Sequence, residues 1–156
     1  MAFPLAFVPS QSWKTGIRRF GAYRTRTRVH AGCDLYAPDG TPMHAVADGE
    51  IIIFRLFYKN AWAVTVDHGD FIVRYGECKP QLPAGLRVGS VVYKRQVIGW
   101  VTKMTGIVNT MIHFEMYDKT ASGELSNGSA PYNRRKDLVD PTPFLDRWSL
   151  ELPPSP

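Results

Sequence analysis

Three β-favouring segments separated by two-residue turns constrain the fold of this chain more than any other feature. All three are rich in Val, Ile, Phe, Tyr and Trp, and they span residues 50–57, 61–68 and 71–77. The polar pairs between them, Lys59-Asn60 and Gly69-Asp70, are typical of tight hairpin connections. The pattern therefore predicts three consecutive antiparallel strands.

The rest of the sequence favours more strands and little helix. Further short β-favouring segments, punctuated by glycines, occur at 90–94, 97–103 and 111–117. Before residue 130 no apolar period of 3.6 residues persists over three turns. Residues 140–148 predict the start of one short helix, with Pro141 in its first turn. We predict an all-β fold, a compact antiparallel sheet or sandwich with long loops.

The connecting segments carry residues that are common in turns and loops. Residues 35–48 contain APDG and TPMHAVADG, in which Pro, Asp and Gly have the spacing of turns. Residues 118–136 predict a polar loop, and the terminal PPSP is expected to be loose.

Length and composition indicate one globular domain. The 156 residues are enough for one substantial core and too few for two. Apolar residues make up 44% of the chain and charged residues 21%, which excludes a disordered tail. We expect a monomeric domain over residues 1–147 and a tail over 148–156. No apolar run reaches the roughly 18 residues of a membrane helix, so no membrane span is expected.

The net charge of +5 and the pI of about 9.4 favour a polyanionic partner, such as nucleic acid, anionic lipid or the bacterial cell wall. Residues 10–30 contribute strongly, because they contain six basic residues and no acid. This segment is either a solvated surface loop or a rim that attracts an acidic substrate.

Candidate metal ligands come from two parts of the chain. His30 and Asp34 are four residues apart, and in an extended segment this even spacing places both side chains on one face. His113, on a later predicted strand, is a suitable third ligand for zinc, which prefers imidazole and carboxylate groups. Spacing alone leaves ordinary surface or core histidines as the alternative. A thiolate site is not expected, because Cys33 and Cys78 form no CxxC pair; a disulfide between them is an open option.

Five ordered segments resemble the lysostaphin-type (LytM-type) zinc endopeptidases. HAGCDLYAP is similar to the HxxxD motif of that family, and VDHGDFIVRYGE to its HG-turn-strand segment. KRQVIGWV, MTGIVNTMIHFEMY and DLVDPTPFL resemble its later motifs, in the same order. The resemblance implies that His30, Asp34 and His113 bind Zn²⁺, with water at the fourth position. It also implies that the substrate is the peptide stem or bridge of peptidoglycan.

Two positions depart from the family pattern. Glu77 replaces the histidine that usually ends the Tyr-x-His motif, and Met111 replaces the first histidine of His-x-His. We expect both to face the site, with positions 75 and 77 sharing one strand face. Glu77 is the candidate general base, as carboxylates are in other metalloproteases. Met111 provides neither a proton nor a hydrogen bond to an oxyanion.

Other residues near these motifs have predicted supporting roles. Glu115 is expected to orient His113 through its second ring nitrogen. Asn109 and Met111 are the candidate substrate contacts, although Asn109 is as well explained by a turn. His68, beside Gly69, is predicted to be structural and to hydrogen-bond nearby backbone.

The sequence therefore predicts a zinc-dependent peptidoglycan endopeptidase, with Glu77 as its general base. The alternative is a zinc-binding domain with little or no activity that binds peptidoglycan or a partner protein. A third hypothesis, a nucleic-acid-binding β domain, depends only on charge and aromatic content; we expect peptidoglycan, and not nucleic acid, as the partner.

The N-terminal segment MAFPLAFVPSQSW is apolar but lacks a basic region and contains Pro4 and Pro9, so it does not predict a signal peptide. We expect another delivery route, as for a phage lysis or tail-associated enzyme (an endolysin) or a secreted antibacterial effector. Action is expected on the cell wall, in the periplasm or outside the cell.

Overall fold

The computed structural model describes residues 1–155, and strands dominate its regular structure. The elements are β1 (Cys33–Tyr36), β2 (Pro42–His44), β3 (Gly49–Tyr58), β4 (Ala61–Asp67), β5 (Ile72–Cys78), β6 (Val91–Val92), β7 (Val97–Trp100), β8 (Met111–Tyr117), β9 (Leu138–Val139) and α1 (Thr142–Trp148). A 3₁₀ turn at Gly16–Arg18 precedes them. The all-β prediction is confirmed, and so is the short C-terminal helix.

Two antiparallel sheets form the scaffold. The larger has the strand order β1-β8-β5-β4-β3-β6, with β9 paired to β8, and the smaller consists of β2 and β7. The predicted hairpins β3–β4 and β4–β5 are present in this larger sheet. β8 lies between β1 and β5, although it comes late in the chain. Its register places His113 opposite Asp34 on one side and opposite Gly76 on the other.

One face of the large sheet packs the main core. Cys33, Phe114, Tyr75 and Val64 lie opposite one another across neighbouring strands, and all four are fully buried. Side chains from the N-terminal segment, β2, β7 and α1 complete the same apolar cluster. The residues that alternate with this row point to the opposite face of the sheet. That second face is not needed for the core and can form a polar cleft.

A β-bulge interrupts the pairing of β4 with β5. Trp62 pairs with Cys78 and Ala63 pairs with Gly76, which leaves Glu77 as an extra residue with a φ of 66°. A bulge of this kind redirects a side chain locally. Tyr75 therefore points into the core, whereas Glu77 lines the cleft on the opposite face. The prediction that positions 75 and 77 share one face is wrong for this reason.

The turn predicted at APDG is present, since the Thr41 N–H donates to the Pro38 carbonyl over 3.1 Å. Residues 35–48 also include the end of β1 and all of β2, which were not predicted. Both strands are short and pair with distant strands, β8 and β7, so local sequence gives little sign of them. The terminal segment is not loose as far as residue 155: the Val8 N–H donates to the Pro153 carbonyl over 2.7 Å, and the Ser155 N–H donates to the Val8 carbonyl over 2.8 Å.

Cys33 and Cys78 are buried free thiols, so the optional disulfide is not formed. Within residues 1–155 no helix is long and apolar enough to cross a membrane.

His68 and Tyr75 form a hydrogen-bonded chain that runs from the half-buried hairpin into the core. The Val46 N–H donates to Tyr75 Oη over 3.0 Å, and Tyr75 Oη lies 3.0 Å from His68 Nε2. His68 Nδ1 lies 3.0 Å from the Asp48 carbonyl, which can only accept. His68 therefore donates from Nδ1 and accepts the Tyr75 hydroxyl at Nε2, in agreement with a structural role.

We predict that Tyr75→Phe lowers the free energy of unfolding by about 1–3 kcal/mol, because it leaves the buried Val46 N–H without an acceptor. Urea denaturation measures the change, and Tyr93→Phe, at an exposed tyrosine, is the control. Equal stability of the two variants would show that the chain through His68 contributes nothing.

Candidate metal centre

His30, Asp34 and His113 converge at one end of the cleft. Asp34 on β1 pairs directly with His113 on β8, and His30 is held beside them by its N–H, which donates to the Ala22 carbonyl over 2.8 Å. His30 Nε2 lies 2.9 Å from Asp34 Oδ1 and 3.0 Å from His113 Nδ1, and His113 Nδ1 lies 3.0 Å from Asp34 Oδ1. All three residues are buried. The structure thus brings the three predicted ligands together.

In His30 and His113, the ring nitrogen that points away from Asp34 forms a hydrogen bond. That hydrogen bond determines whether the other ring nitrogen, which faces Asp34, carries a proton or a lone pair. His30 Nδ1 lies 2.9 Å from the Arg19 carbonyl, and His113 Nε2 lies 2.8 Å from Glu115 Oε1. Because these oxygens only accept, each outer nitrogen carries the proton. The inner atoms, His30 Nε2 and His113 Nδ1, then present lone pairs to each other and to Asp34. Such an arrangement is stable only with a cation among them.

The spacing of these three atoms fits zinc. Bonds of about 2.0–2.1 Å in a tetrahedron place neighbouring ligand atoms roughly 3.3 Å apart. The three distances here, 2.9, 3.0 and 3.0 Å, need to lengthen only slightly. Two imidazoles and one carboxylate are also a donor set that zinc accepts. His30, Asp34 and His113 are therefore fitted to hold the ion.

The charges of these groups agree with a cation site. Burial lowers the pKa of His113, but its hydrogen bonds to Asp34 and Glu115 outweigh that effect and raise the pKa to about 9. Burial opposes ionisation of Asp34, yet its close contacts with His113 and His30 hold the pKa of its carboxyl well below the usual range. The raised pKa of His113 therefore marks a position at which positive charge is favoured.

Glu115 lies behind His113 and is completely buried. Besides His113, it accepts from Arg134 Nε over 2.8 Å and from Tyr117 Oη over 2.6 Å, and it lies 3.3 Å from Arg74. Burial opposes its ionisation, but the hydrogen bond from His113 and the two guanidinium groups hold the pKa of this carboxyl well below its usual range. An ionised Glu115 fixes the ring of His113 in the orientation that a metal ligand needs.

Among the acidic side chains that line the cleft, Glu77 has the fewest hydrogen bonds and ion pairs to stabilise its negative charge. It is 8% exposed, and its Oε2 is buried without a hydrogen-bond partner within residues 1–155. Burial raises the pKa of Glu77 to about 7. The same cleft is lined by all three candidate ligands. A carboxyl with this placement can exchange a proton with a molecule bound in the cleft.

The two candidate substrate contacts are not brought into the cleft. Among residues 1–155, the side chains that line it include neither Asn109 nor Met111. Asn109 is exposed and donates to Tyr36 Oη over 3.3 Å. Met111 lies at the start of β8, opposite Tyr36 and on the same strand face as His113, and is 7% exposed.

A comparison with known families decides what kind of site this is. The model of peptidase family M23 matches residues 28–126, which is more than half of the chain. The chain belongs to peptidase family M23. Members of this family are zinc-dependent peptidoglycan endopeptidases, and the resemblance drawn from the five motifs is confirmed.

Solved structures of family M23 peptidases share the fold. The catalytic domain of lysostaphin from Staphylococcus simulans is 22% identical, with 82% of this chain and 89% of that chain covered and a TM-score of 0.59. LytU is 20% identical, with coverages of 88% and 90% and a TM-score of 0.62. A zinc-containing peptidase from Vibrio cholerae is 19% identical, with coverages of 98% and 41% and a TM-score of 0.55. No curated protein matches the sequence.

Sequence reasoning missed several residues of this M23 site. Arg24 belongs to the basic segment 10–30, for which the sequence predicts a surface loop or a rim, yet it donates to Asp34 Oδ2 over 3.1 Å and thereby holds the second oxygen of the candidate ligand. The sequence predictions include neither Arg74 nor Arg134, although both contact Glu115. One sign was available for Arg74, because an arginine inside an otherwise apolar strand requires a buried partner.

We predict that Glu115→Gln weakens zinc binding about 10- to 100-fold, since the ring of His113 loses its charged acceptor. His113→Ala should lose binding altogether. Affinity is measured by competition with a chromophoric chelator, and circular dichroism verifies that each variant is folded. Glu124→Gln, at an exposed glutamate, is the control. Unchanged affinity in a folded Glu115→Gln protein would remove Glu115 from the metal centre.

Proposed function

We propose that the chain is a zinc-dependent endopeptidase that hydrolyses peptide bonds in the stems or bridges of bacterial peptidoglycan. The observation that supports it most directly is the position of Glu77. A buried carboxylate oxygen without a partner lines the same cleft as three converging ligand atoms. Family membership supplies the substrate class, and the cell wall is the proposed place of action.

Hydrolysis requires a Lewis acid and a group that transfers protons, and the proposed site provides both. Zinc, when bound, supplies the Lewis acidity that acidifies water and polarises the scissile carbonyl. Glu77 accepts a proton from the attacking water through its free oxygen and passes that proton to the leaving amine as the C–N bond breaks. Its pKa of about 7, raised by burial, suits both steps.

Two neighbours keep the reacting groups in place. Arg24 holds Asp34 by its second oxygen, over 3.1 Å. The ring of Phe57 stacks on His113 with centroids 5.5 Å apart and shields one side of the imidazole from solvent. Both contacts reduce the freedom of the ligands before substrate arrives, which favours a preorganised site.

Met111 supports the second candidate function, a zinc-holding domain that binds peptidoglycan or a partner protein without turnover. The family usually has a histidine there, and a thioether gives no hydrogen bond to a developing oxyanion. In this alternative the metal and the cleft are retained while the chemical step is lost.

We predict that Glu77→Gln lowers kcat roughly 100- to 10,000-fold while zinc remains bound, because the amide cannot accept the proton. His113→Ala should lose both activity and metal. The assay is release of soluble fragments from purified cell walls, with product mapping by mass spectrometry. Glu50→Gln, on the exposed part of β3, is the control. Absence of hydrolysis by zinc-loaded wild type would favour the binding domain.

We also predict that Met111→His raises kcat about 10- to 100-fold, because it restores a proton-transferring group on the strand face of His113. Met111→Leu provides the matched apolar control and should not differ from wild type. The same wall-digestion assay measures both. If the two variants behaved alike, position 111 would have no part in the reaction.

A further inference from the structure

Arginines dominate the walls of the cleft beside the metal centre. The cleft has a volume of about 520 Å³, and five guanidinium side chains line it: Arg24, Arg28, Arg55, Arg74 and Arg134. They come from the loop before β1, from β3, from β5 and from the loop before β9. Four separate parts of the chain thus direct like charges toward one space, and carboxylates of the chain or a bound anion must offset their repulsion.

The sheet itself positions two of these arginines. Arg74 on β5 pairs with Glu115 on β8, two positions from the pair formed by Gly76 and His113 and on the same face. Arg55 on β3 pairs with Ala63 on β4, and Ala63 in turn pairs with Gly76. The small residue Gly76 leaves room for the ring of Phe57, which packs on His113.

Phe57 and Glu115 order the inner arginines. The guanidinium groups of Arg74 and Arg134 lie 5.4 and 6.0 Å from the centroid of the Phe57 ring. Arg74 also donates to Ser126 Oγ over 2.9 Å, and both arginines contact Glu115. Guanidinium groups held in this way lose little entropy when they bind an anion.

The acids of the cleft do not balance these charges. Arg24 is paired with Asp34, Arg55 with Glu124, and the two inner arginines share Glu115. Arg28 is exposed and forms no ion pair within the described chain. Five cations against three partner carboxylates leave two positive charges in excess before any metal is bound. Glu77 offsets at most one of them.

We infer that the cleft selects a peptide that carries a free carboxylate near the scissile bond, which means an acidic stem peptide and not a neutral glycine bridge. The inference depends on the proposed function for the identity of the peptide. Arginine suits this ligand, because its planar fork donates two parallel hydrogen bonds to one carboxylate. The arginine charges are concentrated within one cleft, next to the candidate metal ligands. This placement favours binding of a single carboxylate of the substrate over binding of a long polyanion.

The test measures binding and hydrolysis separately, with the full zinc-loaded chain. The probes are a purified cross-linked stem-peptide dimer with free carboxylates, the same dimer with its carboxylates converted to carboxamides, and pentaglycine. We expect calorimetry at low salt to show at least about tenfold tighter binding of the free acid than of the two neutral probes. The preference should decrease as salt is added.

Two substitutions at the mouth of the cleft show where the preference arises. Arg28→Gln combined with Arg55→Gln should weaken binding of the free acid about five- to tenfold and leave the carboxamide unaffected. Neither residue contacts the candidate metal ligands. The matched control is Arg26→Gln with Arg87→Gln, which removes the same charge from exposed positions outside the cleft.

Each outcome bears on a different claim. Equal binding of acid and carboxamide, or an equal loss in the control variant, overturns the inference even if the enzyme cuts both. Tighter binding of a teichoic-acid polymer, competed off by phosphate, also overturns it in favour of a phosphate polyanion. Selective binding of the acid without hydrolysis supports the inference and contradicts the proposed function.

Discussion

The antiparallel pairing of β8 between β1 and β5 is the constraint on which the rest of the site depends. It sets Asp34 beside His113 and Gly76, and two positions along, on the same face, it sets Arg74 beside Glu115. Because side chains alternate, a slip of one residue would turn Phe114 into the cleft and His113 into the core. The apolar face of the same strand prevents this slip, since Phe114 is fully buried against Tyr75. Core packing and metal-ligand geometry are thus fixed by one register.

The bulge at Glu77 is the second constraint, and it needs a glycine beside it. A Cβ atom at Gly76 would lie 3.0 Å from the Phe57 ring and 3.2 Å from the His113 carbonyl oxygen. A side chain there would displace the ring that packs on His113. The glycine therefore lets Phe57 approach the metal centre, while the extra residue turns Glu77 toward the same space. Backbone geometry at two adjacent positions serves both the candidate ligand and the candidate base.

Long β-favouring segments were predictable from sequence because they combine apolar content with clear turns, and β3, β4, β5 and β8 are where they were expected. The three candidate ligands were predictable as a set because the family motifs indicate them. The strands β1 and β2 and the bulge at Glu77 were not predictable from the sequence, because each depends on pairing with another strand. The same holds for Arg134, whose loop gives no local sign of a buried glutamate. The placement of Asn109 and Met111 likewise depended on how the loop before β8 approaches Tyr36.

Glu115 accepts from the candidate ligand His113 and from Arg134 on the same oxygen, Oε1. The negative charge of Glu115 is therefore shared between His113 and Arg134. A change in one of these two hydrogen bonds changes the strength of the other, so they are thermodynamically coupled. An anion that draws Arg134 away leaves more negative charge for the imidazole and makes it a stronger electron donor to a metal. By reciprocity, a metal that polarises His113 changes the strength of the hydrogen bond between Arg134 and Glu115. A lineage that changed its substrate preference through these arginines would also have to readjust its metal affinity, so the two properties cannot evolve independently.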